Sequence, residues 1–114
     1  MIYNSVEEMI GNTPLLKINP DVHGLKNIDL YGKLEYYNPF GSVKDRIAFN
    51  MFKAIKDDLM ANQKMLIESS SGNTAKALAA LCGLYGLEFK AITNRIKYPE
   101  VREVLLALGA TVEE

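Results

Sequence analysis

Lys44 is the residue whose chemistry would depend most on its position in the chain. It is predicted to lie in the first turn of a helix, after Ser42, which can act as the N-cap because Asp45 follows at a capping-box spacing. The positive end of the helix dipole disfavours a cation there, and burial would add to this effect, so both would lower the pKa of the amine. A neutral amine is what Schiff-base chemistry requires. Lys44 is therefore a candidate nucleophile, with a surface lysine as the alternative.

The second candidate is the loop of residues 69–74, Ser-Ser-Ser-Gly-Asn-Thr. It is predicted to lead into a helix, whose first N–H groups are unpaired and lie at the positive end of the dipole. Such a place binds a carboxylate or a phosphate. Serine and asparagine are also favoured N-caps, so the loop could instead satisfy its own helix. Both interpretations remain open on the residues alone.

The elements that carry these loops alternate between short strands and amphipathic helices. Strands are predicted at residues 28–34, 65–67, 88–92 and from 111 onward, and helices at about 42–59, 73–85 and 99–108. This alternation predicts an α/β fold, a small three-layer domain with a mostly parallel sheet of about four strands and three helices. Residues 1–27 do not fit the repeat and are predicted to form a turn, a short strand at 15–18 and a polar loop.

The positions of the two loops agree with this fold. In open α/β sheets, ligands bind in the crevice at the carboxyl ends of the strands. The loop of residues 38–44 follows the first predicted strand, and the loop of residues 69–74 follows the second. We therefore expect both loops to border one site.

The composition excludes several other classes of protein. The 114 residues carry 13 basic and 14 acidic side chains, and a net charge of −1 gives no field for nucleic acid or an anionic membrane. No apolar run approaches the roughly 20 residues of a membrane span, and the first residues lack the features of a signal peptide. One cysteine and one histidine are too few for a disulfide or a zinc site. We expect a reduced, cytoplasmic protein without a metal, and Cys82 in the core.

Several further polar and aromatic residues are expected to be structural. His23 lies in a predicted polar loop and is expected to be exposed. Tyr36 and Tyr37, near a strand end, are expected to pack. Asp45 and Arg46 are interpreted as a cap and a surface ion pair worth under about 1 kcal/mol, with a role in closing the small domain left open.

Three motifs in order, at matching spacings, resemble one enzyme family. They are Ile-Gly-Asn-Thr-Pro-Leu at 10–15, then Lys-Leu-Glu with Asn-Pro and Ser-Val-Lys-Asp-Arg between 33 and 46, and Glu-Ser-Ser-Ser-Gly-Asn-Thr at 68–74. Together they resemble the pyridoxal-phosphate (PLP) enzymes of fold type II, on the branch of cysteine synthase and cystathionine β-synthase. The similarity continues through Leu-Gly-Ala-Thr-Val at 108–112, so it covers essentially the whole chain.

The resemblance assigns roles to particular residues. It implies that Lys44 binds PLP covalently and acts as the catalytic base, and that Asn73 donates a hydrogen bond to the phenolic oxygen of PLP. In the family the rest of the loop binds the α-carboxylate of a small amino-acid substrate, and it corresponds here to Ser70, Ser71, Gly72 and Thr74. Ser70 stands where the family usually has threonine, which keeps a hydroxyl. Ala75 stands where glycine is common.

The resemblance also implies an activity and a layout. The expected reaction is β-replacement of the cysteine synthase type, from O-acetylserine and sulfide to cysteine, with cystathionine β-synthase and serine or threonine dehydratase as related activities. Residues 1–36 would pack on a larger second domain, and residues 37–114 would form the small domain. The parent enzyme is expected to be a homodimer, and its cleft can receive the C-terminus of serine acetyltransferase.

Two interpretations of the chain remain open at this point. In the family, the glycine-rich loop that holds the PLP phosphate lies later than residue 114, so the 114-residue polypeptide is expected to bind PLP weakly and to be inactive by itself. The alternative is a truncated, non-catalytic paralogue that binds a carboxylate or a peptide C-terminus.

Overall fold

A computed structural model describes residues 1–70 and 72–114, which form two small sheets and five α-helices. In chain order the elements are α1 (Val6–Met9), β1 (Leu15–Ile18), α2 (Pro20–His23), β2 (Leu30–Lys33), a 3₁₀ turn (Glu35–Tyr37), α3 (Lys44–Ala61), β3 (Leu66–Glu68), α4 (Asn73–Leu84), β4 (Phe89–Ile92), α5 (Pro99–Ala107) and β5 (Thr111–Glu113). The α/β prediction is confirmed. Every predicted strand and helix is present within a few residues of its expected bounds, and α1 and α2 are additions.

The parallel sheet has three strands in the order β3-β4-β5. The predicted count of about four is corrected, because β2 pairs antiparallel with β1, with Leu15 opposite Lys33 and Ile18 opposite Leu30. The alternating apolar pattern of β2 is typical of an antiparallel pair with one solvated face. The loop of residues 38–44 therefore follows the β1–β2 hairpin and not a strand of the parallel sheet.

The hydrophobic core lies between the helices and one face of the parallel sheet. Phe89 and Ala91 of β4 point to this face and are buried. The largest buried apolar side chains, apart from Phe89, come from the helices, namely Phe52, Leu78, Leu81 and Leu105. Cys82 is part of this core, as expected, and burial raises the pKa of its thiol to about 11. On the opposite face Ile67 and Ile92 remain largely exposed.

The first 36 residues divide into two parts. The part before β1 lies against the helical core, where Ile10 packs and the Tyr85 hydroxyl donates to the Glu7 carboxylate at 2.8 Å. The hairpin exposes Leu15 and Leu16, with 62% and 52% of their surface accessible. The division into residues 1–36 and 37–114 stays a prediction, and the Glu7–Tyr85 contact shows that its two parts touch.

Among the described residues, no helix has the length and hydrophobicity that crossing a membrane requires. His23 is partly buried, not fully exposed, and its Nδ1 accepts the Leu25 N–H at 3.0 Å. Tyr36 and Tyr37 are exposed and pack on each other, with ring centroids 4.8 Å apart. None of these residues adds to the candidate site described next.

Candidate functional site

Lys44 is the first residue of α3 and its side chain is exposed. The N-cap of α3 is Val43 and not Ser42, so the predicted cap is one residue off, although the Lys44 N–H still donates to Ser42 Oγ at 3.1 Å. The capping box does not close, because Asp45 Oδ2 accepts the N–H of Phe40 at 2.7 Å instead. The amine of Lys44 makes no hydrogen bond or ion pair to another residue that the structure describes. Lys44 thus combines a fixed backbone with an available side chain.

Asp45 lies on the inner side of this helix start. It is fully buried, and its Oδ1 atom has no hydrogen-bond partner in the described part of the chain. Burial raises the pKa of this carboxyl, while the Phe40 N–H and the positive charge of Lys76 oppose the rise. Through its hydrogen bond with the Phe40 N–H, Asp45 therefore joins the two ends of the loop of residues 40–45 on its buried side.

Arg46 lies on the outer side of the same turn and binds two distant segments. Its Nε donates to Glu35 Oε2 at 2.8 Å, and its Nη2 donates to Glu35 Oε1 at 2.9 Å. The same Nη2 donates to the carbonyl oxygen of Gly11 at 2.9 Å. Arg46 does form the expected surface ion pair, and the structure adds to it, because a bidentate pair with a third acceptor fixes the geometry of all three groups.

Glu35 is the acceptor at the centre of this arrangement. Besides Arg46, it accepts from Thr13 Oγ1 at 2.9 Å and from Asn38 Nδ2 at 2.9 Å. Asn38 Oδ1 in turn accepts the Gly11 N–H at 2.8 Å. The hydrogen bond from Arg46 is the largest cause that lowers the pKa of Glu35 to about 2, and those from Thr13 and Asn38 contribute. Residues from two of the three sequence motifs thus form one hydrogen-bonded network.

Helices α3 and α4 begin at the same end of the molecule. The Lys76 ammonium, in the first turn of α4, lies 3.5 Å from the position that a Cβ would take at Gly41, just before α3. Further along, the ring of Phe52 in α3 lies 5.5 Å from the ring of Tyr85, which follows α4. The two helices therefore run side by side in the same direction. Lys44 and Asn73, the first residue of each, lie at this common end.

Two cavities lie in this part of the molecule, and the first borders the start of α4. One of about 260 Å³ is lined by Gly72, Asn73, Lys76 and Glu100 together with apolar residues of α5. The other, of about 250 Å³, lies at the carboxyl ends of β3 and β4 and is lined by Ser69, Ser70, Ile92, Thr93 and Asn94. The structure thus places Asn73 and Ser70 at neighbouring cavities and not at one.

Two features near these cavities would suit an anion, one at the start of α4 and one at the second cavity. The hydroxyl oxygen of Ser70 is buried there without a partner among the described residues. Helix α4 starts at Asn73 with no side-chain cap, so its first N–H groups remain available. Thr74 is partly buried and Gly72 is exposed, while the predicted contact at Ser71 lies outside the described residues. The carboxylate-binding roles of these residues stay predictions.

Sequence reasoning missed Lys76, Thr93 and Asn94. The last two follow β4, and the rule that ligands bind at the carboxyl ends of strands would have identified them if applied to that strand. Lys76 carried no signal of its own, because a lysine within a helix is ordinarily a surface residue. Among the described residues, no cluster of histidine, cysteine or carboxylate side chains could hold a metal ion.

Comparison with known proteins identifies the class to which this fold and site belong. The profile of the family described as "Pyridoxal-phosphate dependent enzyme" matches residues 6–114, so the chain belongs to this family. It is 41% identical to N-(2-amino-2-carboxyethyl)-L-glutamate synthase of Cupriavidus metallidurans, over 100% of this chain and 33% of that protein. It is 35% identical to cysteine synthase B of Campylobacter jejuni, over 98% of this chain and 36% of that protein.

Solved structures agree with the sequence relatives. O-acetylserine sulfhydrylase isoform 3 from Entamoeba histolytica superposes with a TM-score of 0.84 at 33% identity, over 98% of this chain and 35% of that one. A hydrogen sulfide-producing enzyme from Fusobacterium nucleatum gives a TM-score of 0.82 at 36% identity, over 99% and 37%. The chain spans about a third of the length of the relatives it matches.

The cofactor of this family is PLP, and the residues present fit its lysine-bearing side. Lys44 offers an exposed amine on a fixed helix start, and Asn73 offers a side-chain amide at the same end. The unpartnered Ser70 hydroxyl and the uncapped start of α4 would suit a carboxylate close by. When bound, PLP supplies an electron sink that stabilises negative charge on the α-carbon of an amino acid.

Proposed function

We propose that this chain is the lysine-bearing part of a PLP-dependent β-replacement enzyme of the cysteine synthase type. The observation that carries the proposal is the common position of Lys44 and Asn73 at the starts of two parallel helices, the second of which follows the loop of Ser70, whose hydroxyl has no partner among the described residues. Neither side chain makes a hydrogen bond or an ion pair to another described residue. Both belong to motifs that the family profile covers.

The chain's own residues have distinct tasks in this reaction. Lys44 holds the cofactor and then, as a free amine, removes the α-proton of the substrate. Asn73 orients the cofactor through its phenolic oxygen. Ser70, Ser71, Gly72 and Thr74 bind the substrate carboxylate with hydroxyl and N–H donors. The β-substituent leaves, acetate in the case of O-acetylserine, and a nucleophile such as sulfide forms the new bond at the same carbon.

A second candidate within this class is the addition of an amino-acid nucleophile. The relative from Cupriavidus metallidurans, at 41% identity, is named for a product that contains glutamate. Asn94 lines the second cavity, and the loop that follows it carries the exposed cations Arg95 and Lys97. Positive charge on this loop would favour an anionic co-substrate such as glutamate over sulfide.

The wider setting follows the family. The substrate would be a small amino acid, the enzyme a cytoplasmic homodimer, and residues 1–36 would pack on a second, larger domain beside the small domain of residues 37–114. The C-terminus of serine acetyltransferase is the proposed protein partner. Neither nucleic acid nor a membrane is proposed as a partner.

The test is a β-replacement assay on the native-length protein, purified from its natural source and supplied with PLP. O-acetylserine is combined with sulfide or with glutamate, and the product is identified by mass spectrometry. Replacing Lys44 with alanine should lower the rate by about 10²- to 10⁴-fold, the range for loss of a general base. The matched control is Lys64→Ala, because Lys64 is exposed and pairs with Asp58 at the far end of α3.

The alternative is a non-catalytic module that binds a carboxylate or a peptide C-terminus. No product from any donor and nucleophile, or equal rates for the Lys44→Ala variant and the unaltered protein, would contradict the enzyme proposal. Calorimetric binding of a serine acetyltransferase C-terminal peptide without PLP would then support the module. For the 114-residue polypeptide by itself, we expect weak PLP binding and no turnover.

A further inference from the structure

The starting point is the way in which the first turn of α3 is held. The N-cap position, Val43, makes no side-chain capping hydrogen bond. Ser42 Oγ accepts one N–H from the turn, and the buried Asp45 holds the turn from the inner side. On the outer side, only Arg46 reaches from this turn to another segment of the chain by described hydrogen bonds.

That outer contact is rigid and joins three segments. The Arg46 guanidinium makes a bidentate pair with Glu35 and donates to the carbonyl oxygen of Gly11. Glu35 is itself held by the side chains of Thr13 and Asn38, both of which are buried. A planar guanidinium paired in this way has little freedom to rotate or slide.

Gly11 fits the guanidinium closely. Its φ of +83° lies in the left-handed region, and a Cβ at this position would lie 2.8 Å from Arg46 Nη1. An alanine would therefore both strain the backbone and displace the guanidinium. The network is thus shaped to accept Arg46 in one position.

We propose that Glu35 and Arg46 are positioning residues for Lys44, because their bidentate pair fixes the outer side of the helix turn from which Lys44 projects. Lys44 lies two residues before Arg46 and its side chain has no other described support. A small rotation of the turn would move the Lys44 amine away from the position in which it would meet PLP. A misplacement of 1 Å can cost about 100-fold in rate. The inference rests on the proposed role of Lys44 in binding PLP.

The experiment measures how much PLP is captured on Lys44 in the native-length protein. The protein is equilibrated with PLP and reduced with borohydride, and the modified peptide is quantified by mass spectrometry. The variants are Glu35→Gln, Arg46→Met and Gly11→Ala, which break the network at three points. Asp58→Asn is the matched control, because it opens the exposed Lys64–Asp58 pair at the other end of the same helix.

We expect the three network variants to lower Lys44 capture at subsaturating PLP by about 10-fold, within the range that misplacement explains. At saturating PLP, we expect them to shift the pH titration of the visible absorbance of bound PLP. Asp58→Asn should match the unaltered protein in both. If Arg46→Met does not fold by circular dichroism, Arg46→Lys, which keeps the charge but loses the fork, should give intermediate capture.

A merely structural network would give a different result. The variants would then unfold at lower temperature, while Lys44 capture and the titration would equal those of Asp58→Asn, and this outcome would overturn the positioning role alone. If the unaltered protein captures no PLP on Lys44, the proposed function falls, and the positioning role falls with it. The two failures are therefore distinguishable.

Discussion

At the scale of single residues, Glu35 gives the clearest prediction about pH. Its pKa is about 2 in the folded chain, against 4.5 ordinarily, because Arg46 and its neighbours stabilise the charged form. A carboxyl with a lowered pKa stabilises the fold above its ordinary pKa, and that contribution is lost as the pH falls toward the folded value. We expect the urea midpoints of the unaltered chain and the Glu35→Gln variant to differ most above pH 4.5 and to converge toward pH 2. A constant difference over this range would contradict the assigned network.

Cys82 gives a second prediction at this scale. Its thiol is fully buried and its pKa is raised to about 11, so almost no thiolate is available at pH near 8. A thiol reagent should leave the native chain unmodified and react fully once guanidinium unfolds it. Rapid reaction of the native chain at the rate of free cysteine would show that α4 is not buried as described.

The loop cations after β4 bear on the choice of nucleophile. Arg95 and Lys97 follow Asn94, at the edge of the second cavity. Replacing both with serine should lower kcat/KM for glutamate by about 3- to 30-fold, as expected for the loss of two exposed charges, and leave the value for sulfide unchanged. Equal effects on both nucleophiles, or none on glutamate, would argue against the amino-acid co-substrate.

At the scale of elements, α5 offers a matched pair of substitutions. Leu105 is buried against the core, whereas its neighbour Leu106 is about half exposed. Leu105→Ala should reduce the free energy of unfolding by about 2–5 kcal/mol, and Leu106→Ala by about 0.5 kcal/mol or less. Chemical denaturation measures both values. Similar costs for the two variants would show that α5 packs with a different face.

The helices and strands could be predicted well from the sequence because the residues that begin and end them act locally. Helix α5 begins at Pro99, and two helices are followed by glycines in the left-handed region, Gly86 and Gly109. These residues favour a helix start or end whatever the surrounding structure. The pairing of β2 was not predictable in this way, since a short alternating run fits either a parallel or an antiparallel partner. The extent of burial of α4 was not predictable either, because its many alanines can face helix, sheet or solvent.

The same distinction applies to the site. Lys44, Asn73 and Ser70 could be proposed from the sequence because they lie in contiguous motifs near helix starts. In the hydrogen-bonded network, Arg46 and Glu35 are 11 positions apart in the sequence, and Arg46 and Gly11 are 35 positions apart. No periodicity or local rule reports such a contact, so only the folded chain shows that two of the motifs are parts of one network.

At the scale of the whole molecule, the chain is less compact than its length allows. Its radius of gyration is 17.2 Å, against about 13 Å for a compact domain of about 100 residues. The hairpin exposes Leu15 and Leu16, and the outer face of the parallel sheet exposes Ile67 and Ile92. Parallel sheets are ordinarily covered on both faces. These surfaces are therefore suited to contact further protein.

This exposure predicts self-association of the 114-residue polypeptide. Light scattering during size-exclusion chromatography should show dimers or larger species that increase with concentration, because exposed apolar surface drives association. The double variant Leu15→Lys, Leu16→Lys should shift the population toward the monomer. Leu106→Lys, on the exposed side of α5, is the control and should not. A monomer at every concentration would contradict the prediction.

The central claim is that Lys44 is the residue that binds PLP, and one measurement tests it directly. The native-length protein, without substitutions, is incubated with PLP, reduced with borohydride and digested, and every lysine-containing peptide is quantified by mass spectrometry. The account predicts that the modification concentrates on Lys44, with Lys64 and Lys76 modified no more than they are in the unfolded chain. Modification spread evenly over the lysines, or concentrated on one other than Lys44, would contradict it.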